Sequence, residues 1–342
     1  MAARSPVAPK PRLTLKDVAA VLGVSRTAVS NAFNRPEELS HALRADILAK
    51  ARELGYFGPD PAARALRSRE VRQVAVVFGH DLGPVLGDPI SVQFLRGVAE
   101  ELDARGMSMQ LIPKMGRTSS LANAFQTTAD ALIVHAEVEL ALVPEVRASG
   151  KPLVLVDAVV ADVPSVRVDD RAGAASAMEH ALSRRPDRVL VLSFEPADPA
   201  RMHGPGVSAA GTRAATTQRS RGYVSAARRL GFDLDRIDWL EMAQPFEPDR
   251  LIDYLKQLPG RTRLAVMGTT DTAALAGLQV LKGNHRIDVV SVVGFDDIPA
   301  AAAAGLTTMR QDSALKGQLA VRQLLDGGKS DPLPFELVVR ET

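Results

Sequence analysis

Residues 14–34 read Thr-Leu-Lys-Asp-Val-Ala-Ala-Val-Leu-Gly-Val-Ser-Arg-Thr-Ala-Val-Ser-Asn-Ala-Phe-Asn, and no other stretch constrains the fold as tightly. Leu15, Val18, Ala19 and Leu22 recur at helical spacing and give one apolar stripe. Thr14 is placed to cap that helix, and Asp17 puts an acid in the first turn, where the helix dipole favours it. Gly23 supplies the left-handed residue that ends the helix, and Val24 plugs the turn. Ser25 then caps a second helix in which Ala28, Val29 and Ala32 face inward, leaving Arg26, Thr27, Ser30 and Asn31 outward. Ser40 opens a third helix holding Leu43, Ile47, Leu48, Ala51 and Leu54, closed by Gly55 and followed by Tyr56. Two short helices across a tight turn, with a polar, partly basic second face, suit insertion of that second helix into the DNA major groove. A small helical bundle with no ligand is the competing reading.

The charge distribution agrees with contact to DNA at one end. Residues 1–69 hold twelve Lys/Arg against six Asp/Glu, net +6, and the remainder holds 30 against 34, net −4, within a chain of 342 residues and overall charge +2. There is no cysteine, so disulfides, thiolate metal sites and cysteine nucleophiles are excluded. No apolar run reaches transmembrane length. Residues 1–12 are Pro-rich and basic without an apolar core, so they read as a disordered tail rather than a signal peptide. These features fit a cytoplasmic, nucleoid-associated protein with no membrane partner.

From Val71 the pattern changes to short apolar runs alternating with amphipathic helices. Strands are expected at 74–78, 109–112, 131–134 and 152–156, with helices at 91–105 and 140–149. A second round follows, with strands at 165–168, 188–192, 238–242, 264–267 and 289–293 and helices at 171–183, 219–230, 248–257 and 271–282. Two successive doubly wound units with parallel sheets imply two lobes and a cleft, and ligands of such folds sit outside the carboxyl ends of strands. Glu195 to Gln218, rich in Gly, Pro, Ala and Thr, reads as a loop beside Arg219: a lid, or an insertion of no consequence.

The words Thr-Leu-Lys-Asp-Val-Ala (14–19), Gly-Val-Ser-Arg-Thr-Ala-Val-Ser (23–30), Leu-Gly-Tyr (54–56) and Pro-Ala-Ala-Arg-Ala-Leu-Arg-Ser (61–68) occur in an order and spacing that resembles the lactose-repressor/galactose-repressor (LacI/GalR) family of bacterial transcription regulators. Further similar words are Ser165 to Gly173, Arg219 to Tyr223, Val290 to Asp297 and Leu306 to Gln311, so the resemblance covers all but roughly the first dozen residues. It implies an N-terminal all-α helix-turn-helix DNA-binding domain plus an α/β two-lobed core similar to periplasmic binding proteins. The divisions would be a tail at 1–12, the DNA-binding domain at 13–58, a hinge at 59–70 and an effector-binding and dimerisation core at 71–342. Lobe 1 would hold 71–162 and 312–331, and lobe 2 would hold 163–311 and 332–342, with Leu306 to Gln311 as a crossover segment and a last strand at 335–340.

The resemblance also implies roles. Arg26, Thr27 and Asn31 would read base edges, since Arg can bridge guanine O6 and N7 and Asn adenine N6 and N7. Thr14, Ser25, Ser30, Asn34 and Ser40 would contact phosphates. Residues 60–67 would form a hinge helix ordered on DNA, with Leu66 wedged into the minor groove and Ala62 and Ala63 allowing close approach. Effector contacts would come from Arg219, Asp296, Asp271, Thr270, Asp88, Asp157, Asp169 and Phe246, an acidic set suited to a polyhydroxylated ligand. Asp271, Asp169 and Asp170 can equally serve as helix caps, and Trp239 reads as packing. Where relatives often carry aromatics, this chain has Asp88-Pro-Ile-Ser91, so a sugar-stacking platform is poorly supplied.

No cofactor or metal is expected, because the six histidines are scattered without ligand spacing. Gly327-Gly-Lys-Ser330 lacks the earlier glycine of a phosphate loop, and Ser313-Ala-Leu-Lys316 is an isolated Ser-x-x-Lys match. A sugar-kinase activity would need motifs that are absent, so no enzyme is expected. The expected function is a repressor that binds a pseudo-palindromic operator as a homodimer under control of a sugar, polyol or nucleoside-like effector. No leucine-heptad tail follows the last strand, which favours dimers over tetramers. A same-fold regulator with a degenerate pocket, controlled by a protein partner, is the second reading.

Overall fold

The computed structural model describes residues 13–34, 38–54, 56, 71–114, 120–125, 127–135, 143–144, 150–194, 214–242 and 246–342. The chain divides into two units, Met1–Glu70 and Val71–Thr342.

In the first unit, α1 (Leu15–Leu22) starts at a reciprocal cap: Asp17 N–H donates to the Thr14 side chain, and Thr14 N–H donates back to the Asp17 carboxylate at 2.9 Å. Gly23 ends it at φ 66°, a left-handed conformation that sends the chain into α2 (Arg26–Asn34). Ser25 Oγ accepts Ala28 N–H at 3.0 Å and caps α2. Ser40 caps α3 (His41–Glu53) through Leu43 N–H. Val18, Ala19, Val29, Ala32, Ile47, Ala51 and Tyr56 form the core, with Phe33 edge-on to Tyr56 at 5.6 Å. Leu43 remains 39% exposed, so the buried stripe of α3 begins at Ile47.

The second unit carries two sheets. Its elements run β1 (Gln73–Val77), α4 (Leu82–Gly87), α5 (Pro89–Asp103), β2 (Ser108–Ile112), α6 (Ser120–Phe125), β3 (Ala131–His135), β4 (Leu153–Val156) and β5 (Ser165–Val166). Then come α7 (Asp170–Ser183), β6 (Arg188–Ser193), α8 (Ala214–Arg229), β7 (Ile237–Glu241), α9 (Asp249–Gln257), β8 (Arg263–Gly268), α10 (Asp271–Leu281) and β9 (Asp288–Asp296). The chain closes with α11 (Pro299–Ala303), β10 (Thr307–Gln311), α12 (Ser313–Asp326) and β11 (Phe335–Val338).

The first sheet has order β2-β1-β3-β4-β5, all parallel. The second has order β11-β10-β9-β8-β6-β7, parallel except for the antiparallel β10–β11 pair. Strands buried on both faces, such as Val74 to Val77 and Leu264 to Gly268, read as continuous apolar runs because helices cover both sides. After β10 the chain returns to the first lobe, where α12 packs on α5. Glycines make that contact close: a Cβ on Gly97 would collide with the Ala314 carbonyl, and one on Gly317 with the Phe94 carbonyl. A parallel bridge between Val168 and Leu333 lies outside the named strands, where the chain passes between lobes.

Several expectations change. Residues 214–218 belong to α8, so the stretch expected to be a loop up to Gln218 ends in helix, and 195–213 lie outside the described residues. Residues 307–311 are a full strand of the second sheet rather than only a crossover, because β9 and β11 flank them. The edge strand β11 runs antiparallel, so the second sheet is mixed. Of the helix expected at 140–149, only 143–144 fall among the described residues.

Candidate functional site

In the first unit, Arg26 and Thr27 open α2 and both are exposed, one turn beyond the Gly23 reversal. Asn31, one turn later on the same helix, is half-buried and donates from Nδ2 to Glu38 Oε2 at 2.7 Å. That bond fixes the amide and leaves its carbonyl oxygen and one N–H for another partner. Thr14, Ser25 and Ser40 are spent as caps through their oxygens, but each hydroxyl retains a further lone pair. Ser30 is half-buried on the same helix. Asn34 ends α2 and its side chain lies outside the described residues, as do Ala62, Ala63 and Leu66.

In the second unit, polar side chains collect at the carboxyl ends of β3, β4, β9 and β10. Arg219, in α8, is 6% exposed. Its Nε donates to Asp170 Oδ1 at 2.8 Å and its Nη1 to the Thr269 carbonyl at 2.6 Å, while Nη1 lies 3.3 Å from Asp296 Oδ1. The guanidinium carbon lies 3.7 Å from the Phe295 ring centroid, a cation–π contact. Burial works against this charge, but Asp296 and Asp170 hold the guanidinium protonated more firmly than usual. Asp296 accepts Gln311 Nε2 at 2.6 Å. Its carboxyl is pushed up to about 7 by burial, with Asp271 and Asp88 adding repulsion and Arg219 and Gln311 opposing.

From Gln311 the network continues into the first lobe. Lys316 donates to Gln311 Oε1 at 3.1 Å and to Asp157 Oδ2 at 2.7 Å. His135 Nε2 lies 4.0 Å from the same Asp157 oxygen, with its ring stacked on Phe78 at 5.6 Å and edge-on to Phe94 at 5.9 Å. Burial raises the Asp157 carboxyl, yet Lys316 and His135 more than compensate and hold it below the usual range. Asp157 Oδ1 is buried with no hydrogen-bond partner. A continuous polar chain, Asp157–Lys316–Gln311–Asp296–Arg219–Asp170, therefore runs across both lobes along the strand ends. Asp157 at φ 55°, Asp296 at φ 124° and Asp297 at φ 57° hold the chain in conformations rarely adopted by side-chain-bearing residues, a form of strain that concentrates at functional sites.

The remaining expected contacts are dispersed. Asp88 caps α5 by accepting Ser91 N–H and Oγ–H on Oδ2, and its charge reaches Asp296. Thr270 caps α10 through Ala273 N–H. Asp271 is fully buried, with Oδ2 accepting Ile298 N–H and Oδ1 accepting the Thr308 hydroxyl, so it ties α10 to the strands beside it. Burial raises its carboxyl. Asp169 is exposed and caps α7 through Ala172 N–H, whereas its neighbour Asp170 is buried against Arg219. Phe246 packs on the second-lobe core, and Ile90 of α5 packs on the same core. Trp239 packs in the other half of that lobe. Asp170, Gln311, Lys316 and His135 were not anticipated; only the doubled acid at 169–170 gave any signal. Among the described residues no cluster of His, Cys, Asp and Glu could hold a metal ion, and no helix is long and apolar enough to cross a membrane.

Residues 206–342 match the periplasmic binding protein-like domain. The chain is 34% identical to HTH-type transcriptional regulator Rv3575c of Mycobacterium tuberculosis over 94% of this chain and 93% of that protein. Among solved structures it is similar to a LacI-family transcriptional regulator from Corynebacterium glutamicum, with TM-score 0.64, 24% identity and coverage of 97% of this chain and 99% of that one. It is also similar to the lac repressor dimer bound to operator and the anti-inducer ONPF, with TM-score 0.68, 22% identity and coverage of 97% and 98%. At that identity the two structures speak to the fold, and the first relative to the family.

Proposed function

The chain belongs to the LacI/GalR family of helix-turn-helix transcription regulators, and from that premise we propose that it is a repressor whose hold on a two-fold operator is set by a small hydroxyl-rich metabolite in the interlobe cleft. We assign operator reading to residues 13–58, a hinge to 59–70 and effector binding with dimerisation to 71–342. In this reading α2 enters the major groove, Arg26, Thr27 and Asn31 address base edges, and Thr14, Ser25, Ser30, Asn34 and Ser40 address phosphates. Leu66, flanked by Ala62 and Ala63, wedges the minor groove from the hinge. A dimer matches the symmetry of paired half-sites, and a dimer on operator is what the lac repressor structure holds.

The observation that carries the effector half is the polar chain across both lobes. Its cations are occupied by internal partners, while Asp157 Oδ1 is buried without one and Asp296 feels the repulsion of Asp88 from the other lobe. A floor with acceptors to spare suits a ligand rich in hydroxyl donors. That spare buried acceptor also favours a ligand-binding pocket over a degenerate one controlled by a protein partner. Asp271, Thr270, Asp169 and Phe246 belong to the cleft's frame in this reading, and Arg219, Asp296, Asp157 and Asp88 to its contacts. A ligand that binds the open and closed lobes unequally shifts operator affinity by that difference.

Selection of random duplex DNA on the full chain tests the operator half: a two-fold symmetric consensus is expected, and a single asymmetric half-site refutes the dimeric reader. A thermal-shift panel of ribose, cellobiose, sorbitol and cytidine tests the other half. A bound ligand at about 100 times its Kd stabilises by about 2.7 kcal/mol.

A further inference from the structure

Asp296 reaches its place in the cleft through an unusual piece of backbone. It ends β9 at φ 124°, and Asp297 follows at φ 57°. Two consecutive non-glycine residues with positive φ are strained and persist only where surrounding contacts enforce them. The contacts at Asp297 are specific. Arg340 Nη2 donates to Asp297 Oδ1 at 2.5 Å, and Arg310 Nε donates to Oδ2 at 2.7 Å. Burial alone would raise the Asp297 carboxyl, but these two guanidinium groups hold it well below the usual range.

The far ends of both arginines are fixed in turn. Arg310 Nη1 donates to Glu336 of β11 at 2.9 Å, and Arg340 Nη1 donates to the Leu306 carbonyl at 2.7 Å. The last residues of the chain are tied down beside them. Arg340 N–H donates to Thr307 Oγ1, Glu341 N–H donates to the Gly305 carbonyl, and Thr342 Oγ1 donates to the Val292 carbonyl. Arg340 is thus anchored by the start of β10 and delivers its charge to the residue immediately after Asp296.

We propose that Arg340, assisted by Arg310, is a positioning residue for the cleft: by gripping the Asp297 carboxylate it enforces the left-handed turn that aims Asp296 at Arg219 and Gln311. Arg310 neighbours Asp296 in the β9–β10 ladder through its backbone, but the guanidinium groups of both arginines bond to Asp297, Glu336 and the Leu306 carbonyl, not to side chains of the cleft network. The effect of Arg340 passes through backbone geometry, which separates it from Arg219. The inference rests on the effector-site reading only in giving Asp296 a ligand; the aim of the side chain is testable without one.

Aspartate 13C-carboxyl NMR of the full chain supplies the test, with the Asp296 signal assigned by its loss in Asp296→Asn. The titratable groups that act on Asp296 are Arg219, Asp271, Asp88 and Tyr223; none is substituted in the variants used, and the Asp297 charge, which reaches Asp271, is lost equally in the alanine and glycine variants. Asp297→Ala and Asp297→Gly remove the same charge, but only glycine takes φ near +57° without strain. If the clamp works through the turn, Asp297→Ala moves the Asp296 midpoint from about 7 by about one pH unit or more toward the ordinary carboxylate range, as the side chain swings to solvent. Asp297→Gly leaves it in place. Arg340→Met is expected to follow Asp297→Ala, and Arg310→Met offers the same readout if that variant fails to fold. Equal midpoints in the alanine and glycine variants, shifted or not, overturn the proposal. Failure of the effector reading looks different: ribose, cellobiose, sorbitol and cytidine would all leave the wild-type Tm unmoved while the alanine–glycine contrast persisted.

Discussion

Arg219 and Phe295 sit face to face, the guanidinium carbon 3.7 Å from the ring centroid, with Asp170 and Asp296 at its edges. The arginine therefore has a structural task in addition to any contact with a ligand. Arg219→Ala would leave two buried carboxylates without their cation, a loss of about 3–5 kcal/mol. Urea unfolding of the full chain is expected to show that drop. Arg219→Lys keeps the charge but not the planar fork that serves Asp170 and Thr269 together, so its stability should fall between the two.

Asp296 makes stability depend on pH in a direction opposite to most paired carboxylates. Its folded carboxyl titrates near 7, above its value in the unfolded chain, so between about pH 4 and pH 7 the folded state holds the extra proton. Its contribution is full below the unfolded value and is lost as pH rises through about 7. Asp157 and Asp297, both held low, contribute above the unfolded value and lose that contribution as pH falls into the acid range. The expected result is a Tm that declines from pH 5.5 to about pH 7.5 more steeply in wild type than in Asp296→Asn. Parallel curves would show that Asp296 does not titrate there.

The contrast between what was legible and what was not follows the range of the interactions. Thr14, Asp17, Gly23 and Ser25 act within three to five residues of themselves, so sequence exposes them directly. The strand–helix alternation is equally local, and it yields two lobes. The site is otherwise. Arg219 meets Asp170 across 49 positions and Lys316 meets Asp157 across 159. Nothing in the word Asp169-Asp170 says which acid turns inward, and a lysine in an amphipathic helix reads as a solvated charge. Asp271 reads as a cleft acid from its place after β8, yet partners 27 and 37 positions away consume both its oxygens.

Gly97 and Gly317 are the price of bringing α12 back to the first lobe. A methyl group on Gly97 meets backbone at Ala314 rather than a side chain that can turn aside. Gly97→Ala is expected to force α5 and α12 apart and to cost about 1–3 kcal/mol or more. Gly83→Ala, where a Cβ meets open space, is the control and should change little. Chemical unfolding of both variants checks the contrast.

Arg26 opens α2 with its side chain exposed and no partner among the described contacts of that helix. If it reads guanine, Arg26→Ala costs about 1–3 kcal/mol of operator binding and relaxes preference at one position per half-site. Competition of single-base operator variants against the selected consensus measures both. A uniform loss across all sequences would instead assign Arg26 to phosphate. Leu66→Ala, in the proposed hinge, is expected to weaken specific binding more than non-specific binding if the leucine wedges the minor groove and kinks the operator.

Lys316 and Asp157 offer a sharper question, because burying an ion pair is a weak source of stability while breaking one is costly. Lys316 is 4% exposed and bonds to both Asp157 and Gln311. Lys316→Met alone strands the Asp157 carboxylate, one oxygen of which already lacks a partner, and should destabilise by about 3–5 kcal/mol. Asp157→Asn alone leaves a buried ammonium with only Gln311 and should also destabilise. The double variant Lys316→Met/Asp157→Asn removes both charges, and its stability should recover most of the loss. The coupling from the cycle is then expected within about 0.5–3 kcal/mol or above. Additive losses would mean that the two side chains do not depend on each other. In the recovered double variant, the operator response to any ligand found by the thermal-shift panel reports whether the pair is needed for the cleft's function or only for its fold. Under the proposed reading that response is lost although stability returns, because the spare acceptor at Asp157 has lost its charge.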